Sequence, residues 1–194
     1  MATQSAKVVV RNARLSYFNG WHPTKMKDSD KEKYNSAILI AKDNPVVAEI
    51  KKILDDMSEE AKKDNGGKLP GTTKNPWHNP LNDGDVDKPG DENYAGMYYL
   101  NAKSDTKPGI VSTTKDADGR YKAITDESEV YSGCYAHVSL SFFRFGKKGD
   151  MNFGIGVGLN NIMKVRDGEP LAGKASAQED FENVVVEDDE LDLG

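Results

Sequence analysis

Apolar and polar positions alternate along most of this chain, and the alternation predicts strands broken by a single helix. Residues 7–18 are β-rich with apolar side chains on both faces, the mark of a long strand carrying a bulge. Residues 19–33 are polar and read as a loop around Trp21, His22 and Pro23. Residues 34–41 form a second strand. Asp43-Asn44-Pro45 then announces a helix, with Asn44 as cap and Pro45 in the first helical position. Val46, Ile50, Ile53, Met57 and Ala61 recur at spacings of three and four, one apolar face of a helix over about residues 44–65 that ends at Asn65-Gly66-Gly67.

Residues 68–93 show no periodicity and hold four of the eight prolines, so they read as a long loop carrying Trp77. Strands resume at 96–104 and near 110–113, with a turn at Asp116-Ala117-Asp118-Gly119. In residues 133–145, Val138, Leu140 and Phe142 share one face. Residues 153–165 close a hairpin in which Ile155, Val157 and Leu159 alternate with Gly154, Gly156 and Gly158. Five or six strands, one helix and no βαβ alternation predict a mainly β fold, an OB-fold-like antiparallel barrel with one amphipathic helix.

Charge divides the chain. Residues 178–194 carry eight acids and no Lys or Arg, leaving 24 acids against 26 bases in residues 1–177, although the whole chain sums to −6. The expected organisation is a domain over 1–170 and a linker with a disordered acidic tail over 171–194. That tail is either a solubilising end or an interaction segment. No apolar run is long enough to span a bilayer, and no basic-then-apolar pattern opens the chain, so no membrane partner is expected. One cysteine, Cys134, permits no internal disulfide and fits a cytoplasmic protein.

Catalytic and metal motifs are weak. His22, His78 and His137 are widely separated, and a metal site would have to assemble from distant parts of the chain. Asp83-Gly84-Asp85-Val86-Asp87 begins like a calcium loop, but Lys88 follows where glycine is needed and Tyr94 replaces the bidentate Glu; a polar turn is the better reading. The glycines at 154, 156 and 158 lack the third position and following helix of a dinucleotide fingerprint, and suit strand curvature or close backbone approach. No catalytic residue, metal or cofactor is expected.

Fifteen aromatic residues lie outside the tail, several opposite the core-facing stripe. Tyr99, Asn101 and Lys103 share one face, as do Tyr135, His137, Phe143 and Phe145. Rings that stack on bases beside cations that follow phosphates are what single-stranded nucleic acid requires, although each ring could equally be core.

The order Tyr34-Asn35-Ser36-Ala37-Ile38-Leu39-Ile40, Asp43-Asn44-Pro45, helix, Pro-rich loop with Trp77, Gly-Cys-Tyr strand and closing hairpin resembles bacteriophage single-stranded DNA-binding proteins. Tyr94-Ala95-Gly96-x-Tyr98, Gly158-Leu159-Asn160-Asn161-Ile162-x-Lys164-Val165 and Asp167-Gly168-Glu169-Pro170-Leu171 are similar to a phage family first catalogued as a domain of unknown function. The likeness spans nearly the whole chain. A T7-type tail ends in an aromatic residue, whereas this one ends Leu191-Asp192-Leu193-Gly194. The resemblance implies a protein that coats single-stranded DNA in phage replication or recombination, in the cytoplasm of the infected bacterium. Binding is expected through Arg11, Arg14, Trp21, Lys25, Tyr99, Lys103, Arg120, Phe143, Arg144, Phe145 and Lys147. Glu187, Asp188, Asp189, Glu190 and Asp192 would compete with DNA and recruit replication or recombination partners. The alternatives are a small metal-dependent phage nuclease and a non-enzymatic protein-interaction adaptor.

Overall fold

The computed structural model describes residues 5–27 and 29–171. Its strands are β1 (Ala6–Lys25), β2 (Glu32–Ala41), β3 (Asn82–Asp83), β4 (Met97–Ser104), β5 (Gly109–Lys115), β6 (Tyr121–Ala123), β7 (Tyr135–Phe145) and β8 (Gly154–Arg166). The helices are α1 (Val46–Asp64) and the short α2 (Gly84–Asp87). Neighbours run β4, β2, β1, β7, β8, and a parallel bridge between Lys103 and Gly158 returns β8 to β4. The result is a closed five-stranded barrel with the Greek-key closure of an OB-fold, antiparallel except where it closes. β3, β5 and β6 lie outside that ring; β5 is the short strand expected near 110–113, and β3 and β6 are the two strands beyond those read from sequence.

Bulges explain why β1 shows apolar residues on both faces. Val8 and Val10 point inward; a register shift between Val10 and Ala13, with Asn12 in the left-handed region (φ 53°), lets Ala13 and Leu15 point inward as well. A matching shift in β8 inserts a residue at Asn160, so Ile155, Val157, Leu159 and Ile162 all reach the core. β7 needs no correction: Ala136, Val138, Leu140 and Phe142 are buried at every second position.

Residues 19–33 differ from the loop expected of them. β1 continues through Trp21 to Lys25 and pairs with β2 as far as Lys25↔Glu32, leaving only a short turn. Polar side chains there stay in a strand because Asn19, Thr24 and Asn35 hydrogen-bond across the ladder.

α1 packs Val46, Val47, Ile50, Leu54 and Met57 into the barrel core, with Leu54 rather than Ile53 at the centre of its buried face. Pro45 has helical angles (φ −55°, ψ −28°), and Asn44 Oδ1 accepts the Val46 N–H, as the sequence predicts. Residues 68–93 are not wholly loop, since they contain β3 and α2. Asp83 caps α2 through the Asp85 N–H, and Lys42 Nζ lies 2.7 Å from carboxylate oxygens of both Asp83 and Asp85. Those bonds to Lys42 hold both carboxyls below the usual range. The would-be calcium loop is a helix cap clamped by lysine.

Candidate nucleic-acid interface

Because β7 alternates, filling the core with Phe142 forces Phe143 outward. The neighbouring strand supplies the floor. A Cβ on Gly156 would lie 2.6 Å from Phe143 Cε2 and Cζ, so only glycine lets the ring lie flat across β8. Phe143 remains 38 % exposed. It lines a groove of about 550 Å³ with Lys33, His78, Pro80, Asn101, Lys103, Asp105 and Phe145, over the outer faces of β2, β4, β7 and β8.

The loop before β3 forms one wall. His78 N–H donates to the Phe153 carbonyl (2.9 Å), and the His78 carbonyl accepts Ile155 N–H (3.0 Å). Gly154 makes this approach possible, since a Cβ there would come within 2.5 Å of His78 Cβ and its carbonyl oxygen. The His78 imidazole is pushed below its ordinary value, first by desolvation and then by Lys103. Past Phe145 the groove meets two further depressions of about 610 and 560 Å³. Lys74 and Trp77 line the first, and Trp77, Arg144 and Lys148 the second. The cations Lys33, Lys103, Lys74, Arg144 and Lys148 thus flank a run of aromatic rings, although Lys33 also pairs with Asp105 at 3.3 Å.

Of the residues named from sequence, Lys103, Phe143 and Phe145 meet in the main groove and Arg144 in an adjoining depression. Arg144 is also paired with Asp64 at the end of α1 (2.8 Å). Lys147 and Arg120 are exposed in the turns after β7 and before β6. Tyr99 points out of the barrel, but its ring is only partly exposed. It packs edge-on against Tyr94 (centroids 5.2 Å) in a small cluster with Ala37 and Leu39, and its hydroxyl donates to Asp87. Arg14 is spent on the Gly133 and Glu169 carbonyls and Asn93 Oδ1, anchoring residues 167–171. Trp21 donates its indole N–H to the Val130 carbonyl, with Lys107 over its ring. Lys25 pairs with Asp30 beside the β1–β2 turn, and Arg11 is exposed beside the β1 bulge. The tail residues Glu187, Asp188, Asp189, Glu190 and Asp192 lie outside the described residues.

Sequence reasoning missed His78 and Lys33 as groove residues. The loop's fold over Gly154 has no local signature beyond the glycine itself. Among the described residues, no group of three or more His, Cys, Asp or Glu is placed to hold a metal ion, and no helix is long and apolar enough to cross a membrane.

The chain is 27% identical over 191 residues to protein p50 of Acyrthosiphon pisum secondary endosymbiont phage 1, covering 95% of this chain and 98% of that one. Among solved structures it is similar to the single-stranded DNA-binding protein of bacteriophage Enc34 in complex with single-stranded DNA. There the TM-score is 0.64 and the identity 27%, over 86% of this chain and 89% of the other. The single-stranded DNA-binding protein gp2.5 of bacteriophage T7 shares the fold at TM-score 0.52 and 16% identity, over 96% and 97% of the two chains. The model of the family described as the Enterobacter phage Enc34 ssDNA-binding protein matches residues 6–191, and the chain belongs to that family.

Proposed function

We propose that this protein binds single-stranded DNA along the groove beneath Phe143, and coats and protects it without strong sequence preference in phage replication or recombination. The observation that carries this reading is the outward Phe143 ring on its glycine floor, flanked by Lys33 and Lys103. Every base has a π-face, so a ring accepts any of them, while lysines follow the backbone. In a duplex those faces are already stacked. A protein that binds only the unpaired form therefore shifts the equilibrium toward it. Such action is stoichiometric and needs no catalytic group, so we assign no enzymatic activity. It would be exercised where phage DNA is copied, in the host cytoplasm. The eight acids of residues 178–194 compete with DNA phosphates for the groove lysines and, when displaced, recruit replication or recombination partners. The charge division between body and tail supports that part of the reading.

The test is titration of the full chain into a fluorescent oligo-dT and a duplex of equal length, at two salt concentrations. Single strands should bind much more tightly, with each neutralised phosphate adding roughly −0.7 to the log–log salt slope. Equal affinity for the two forms would refute the reading.

A further inference from the structure

Two of the cations around the groove are held by carboxylates. Tyr34 on β2 pairs with Ser104 on β4, so Lys33 and Asp105 come next on the two chains, and Lys33 Nζ lies 3.3 Å from Asp105 Oδ1. Arg144 on β7 meets Asp64, the last residue of α1, at 2.8 Å. Among the described residues, Lys103 in the same groove has no such partner. We propose that Asp64 and Asp105 stand in for DNA phosphates. Each holds a groove cation in the unbound protein, yields it to a phosphate on binding, and so keeps affinity for single strands below what the cations alone would give. This rests on the single-strand reading above and adds to it two residues that regulate the same groove.

Burial decides which partner yields. The side chains of Lys33 and Arg144 are only 30 % and 27 % exposed, so the cations are fixed in the groove wall. Those of Asp105 and Asp64 are 76 % and 62 % exposed and can turn out into water. Ion pairs open to solvent on one side are weak, and a phosphate can displace either carboxylate. Helix energetics do not call for Asp64. It sits at the negative end of the α1 dipole, where the preceding Lys62 and Lys63 carry the favoured charge. A displaced carboxylate gathers cations from solution, which cancels part of the counterion release from the DNA. Both acids thus lower the affinity and flatten its dependence on salt. Each carboxylate also stays tethered beside its cation. It competes again whenever the phosphate lifts off, and the bound strand remains displaceable.

The test uses the full chain with Asp105→Asn, Asp64→Asn and, as a control for net charge, Asp55→Asn at an exposed position of α1. Each is titrated with oligo-dT over a range of salt concentrations and checked by thermal melting. Asp105→Asn and Asp64→Asn should each bind roughly two- to fivefold more tightly than Asp55→Asn at low salt, with a steeper salt slope and a gain that shrinks at high salt. In the wild type, the carbon-13 signals of the Asp64 and Asp105 carboxylates should move when oligo-dT is added. The signal of Asp56, paired with Lys52 on α1 away from the groove-lining residues, should stay still. The proposal is overturned if either variant binds no more tightly than Asp55→Asn, if the gain is as large at high salt as at low, or if the two carboxylate signals do not move. Weaker binding by a variant that melts like the wild type would also overturn it, and would mark the carboxylate as positioning its cation for DNA. Failure of the wild type to bind oligo-dT would remove the single-strand reading itself, and the exchange with it.

Discussion

Phe142 and Phe143 are adjacent in sequence and opposite in fate, and substituting each by alanine separates fold from function. Phe142 is fully buried, and Phe142→Ala should cost about 3–5 kcal/mol of stability. Phe143 is 38 % exposed and lies on the barrel surface. Fully burying such a side chain stabilises by about 1.5–3 kcal/mol, so Phe143→Ala should lose roughly two-thirds of that, about 1–2 kcal/mol. For a domain of this size that lowers Tm by about 2–8 °C, leaving a folded protein. If the ring stacks on a base, the same variant loses about 1–3 kcal/mol of binding, or roughly 5- to 150-fold in Kd. Gly156→Ala is the complement. It keeps the ring but sets a methyl 2.6 Å from it, so the ring must swing off β8 while its chemistry is unchanged. Gly156→Ala should therefore weaken binding in the same direction as Phe143→Ala, with less loss of stability than Phe142→Ala. The assays are fluorescence titration of oligo-dT and thermal melting on each variant. Binding by Phe143→Ala within twofold of wild type, together with a lowered Tm, would show a packing residue and refute the reasoning.

Three other outcomes follow from the geometry. Burial, then the bond to Asp87, push the Tyr99 phenol up from 10.0 to about 12. Because the folded state holds that proton more tightly, its contribution to stability is complete below pH 10 and is lost as pH rises toward 12; an ultraviolet titration showing Tyr99 ionising near 10 in the folded protein would contradict this. Arg14→Met should cost about 1.5–3 kcal/mol and speed hydrogen exchange at the Leu171 N–H, which donates to the Ser132 carbonyl, because the guanidinium holds that segment; unchanged exchange there would refute the anchoring role. Truncation after Ala177 should raise affinity for single strands, most at low salt where the acids are least screened, and equal affinity at low salt would end the competition model.

The motifs shared with phage single-strand binders prove to be mostly architectural. Tyr94 buries its ring and bonds Ser16 through its hydroxyl, and Gly168 is bonded through both N–H and carbonyl to the Tyr131 hydroxyl. Arg14 closes the same corner through the Glu169 carbonyl. These residues lock strand ends and the C-terminal segment to the barrel.

What the sequence determined by itself is whatever depends on periodicity and local chemistry. The inward stripe of β7, the apolar face and Asn44–Pro45 start of α1, the β7–β8 hairpin and the division of charge are all written in residues a few positions apart. The barrel and the outward placement of Phe143 and Phe145 follow from them. Only the tertiary structure decided what each outward residue meets. Tyr99 and Phe143 look alike in sequence, both aromatic and both off the core face. The segment around α2 folds over Tyr99 and gives it Tyr94 and Asp87, whereas β8 offers Phe143 a bare glycine floor and an open groove. Arg14 and Lys103 are likewise both outward cations, but the chain returns 155 residues later to occupy Arg14 and leaves Lys103 in the groove. His78 enters only because a loop with no periodicity is drawn across Gly154 by backbone hydrogen bonds. Such contacts are set by chain closure between distant segments, and no local pattern of side chains records them.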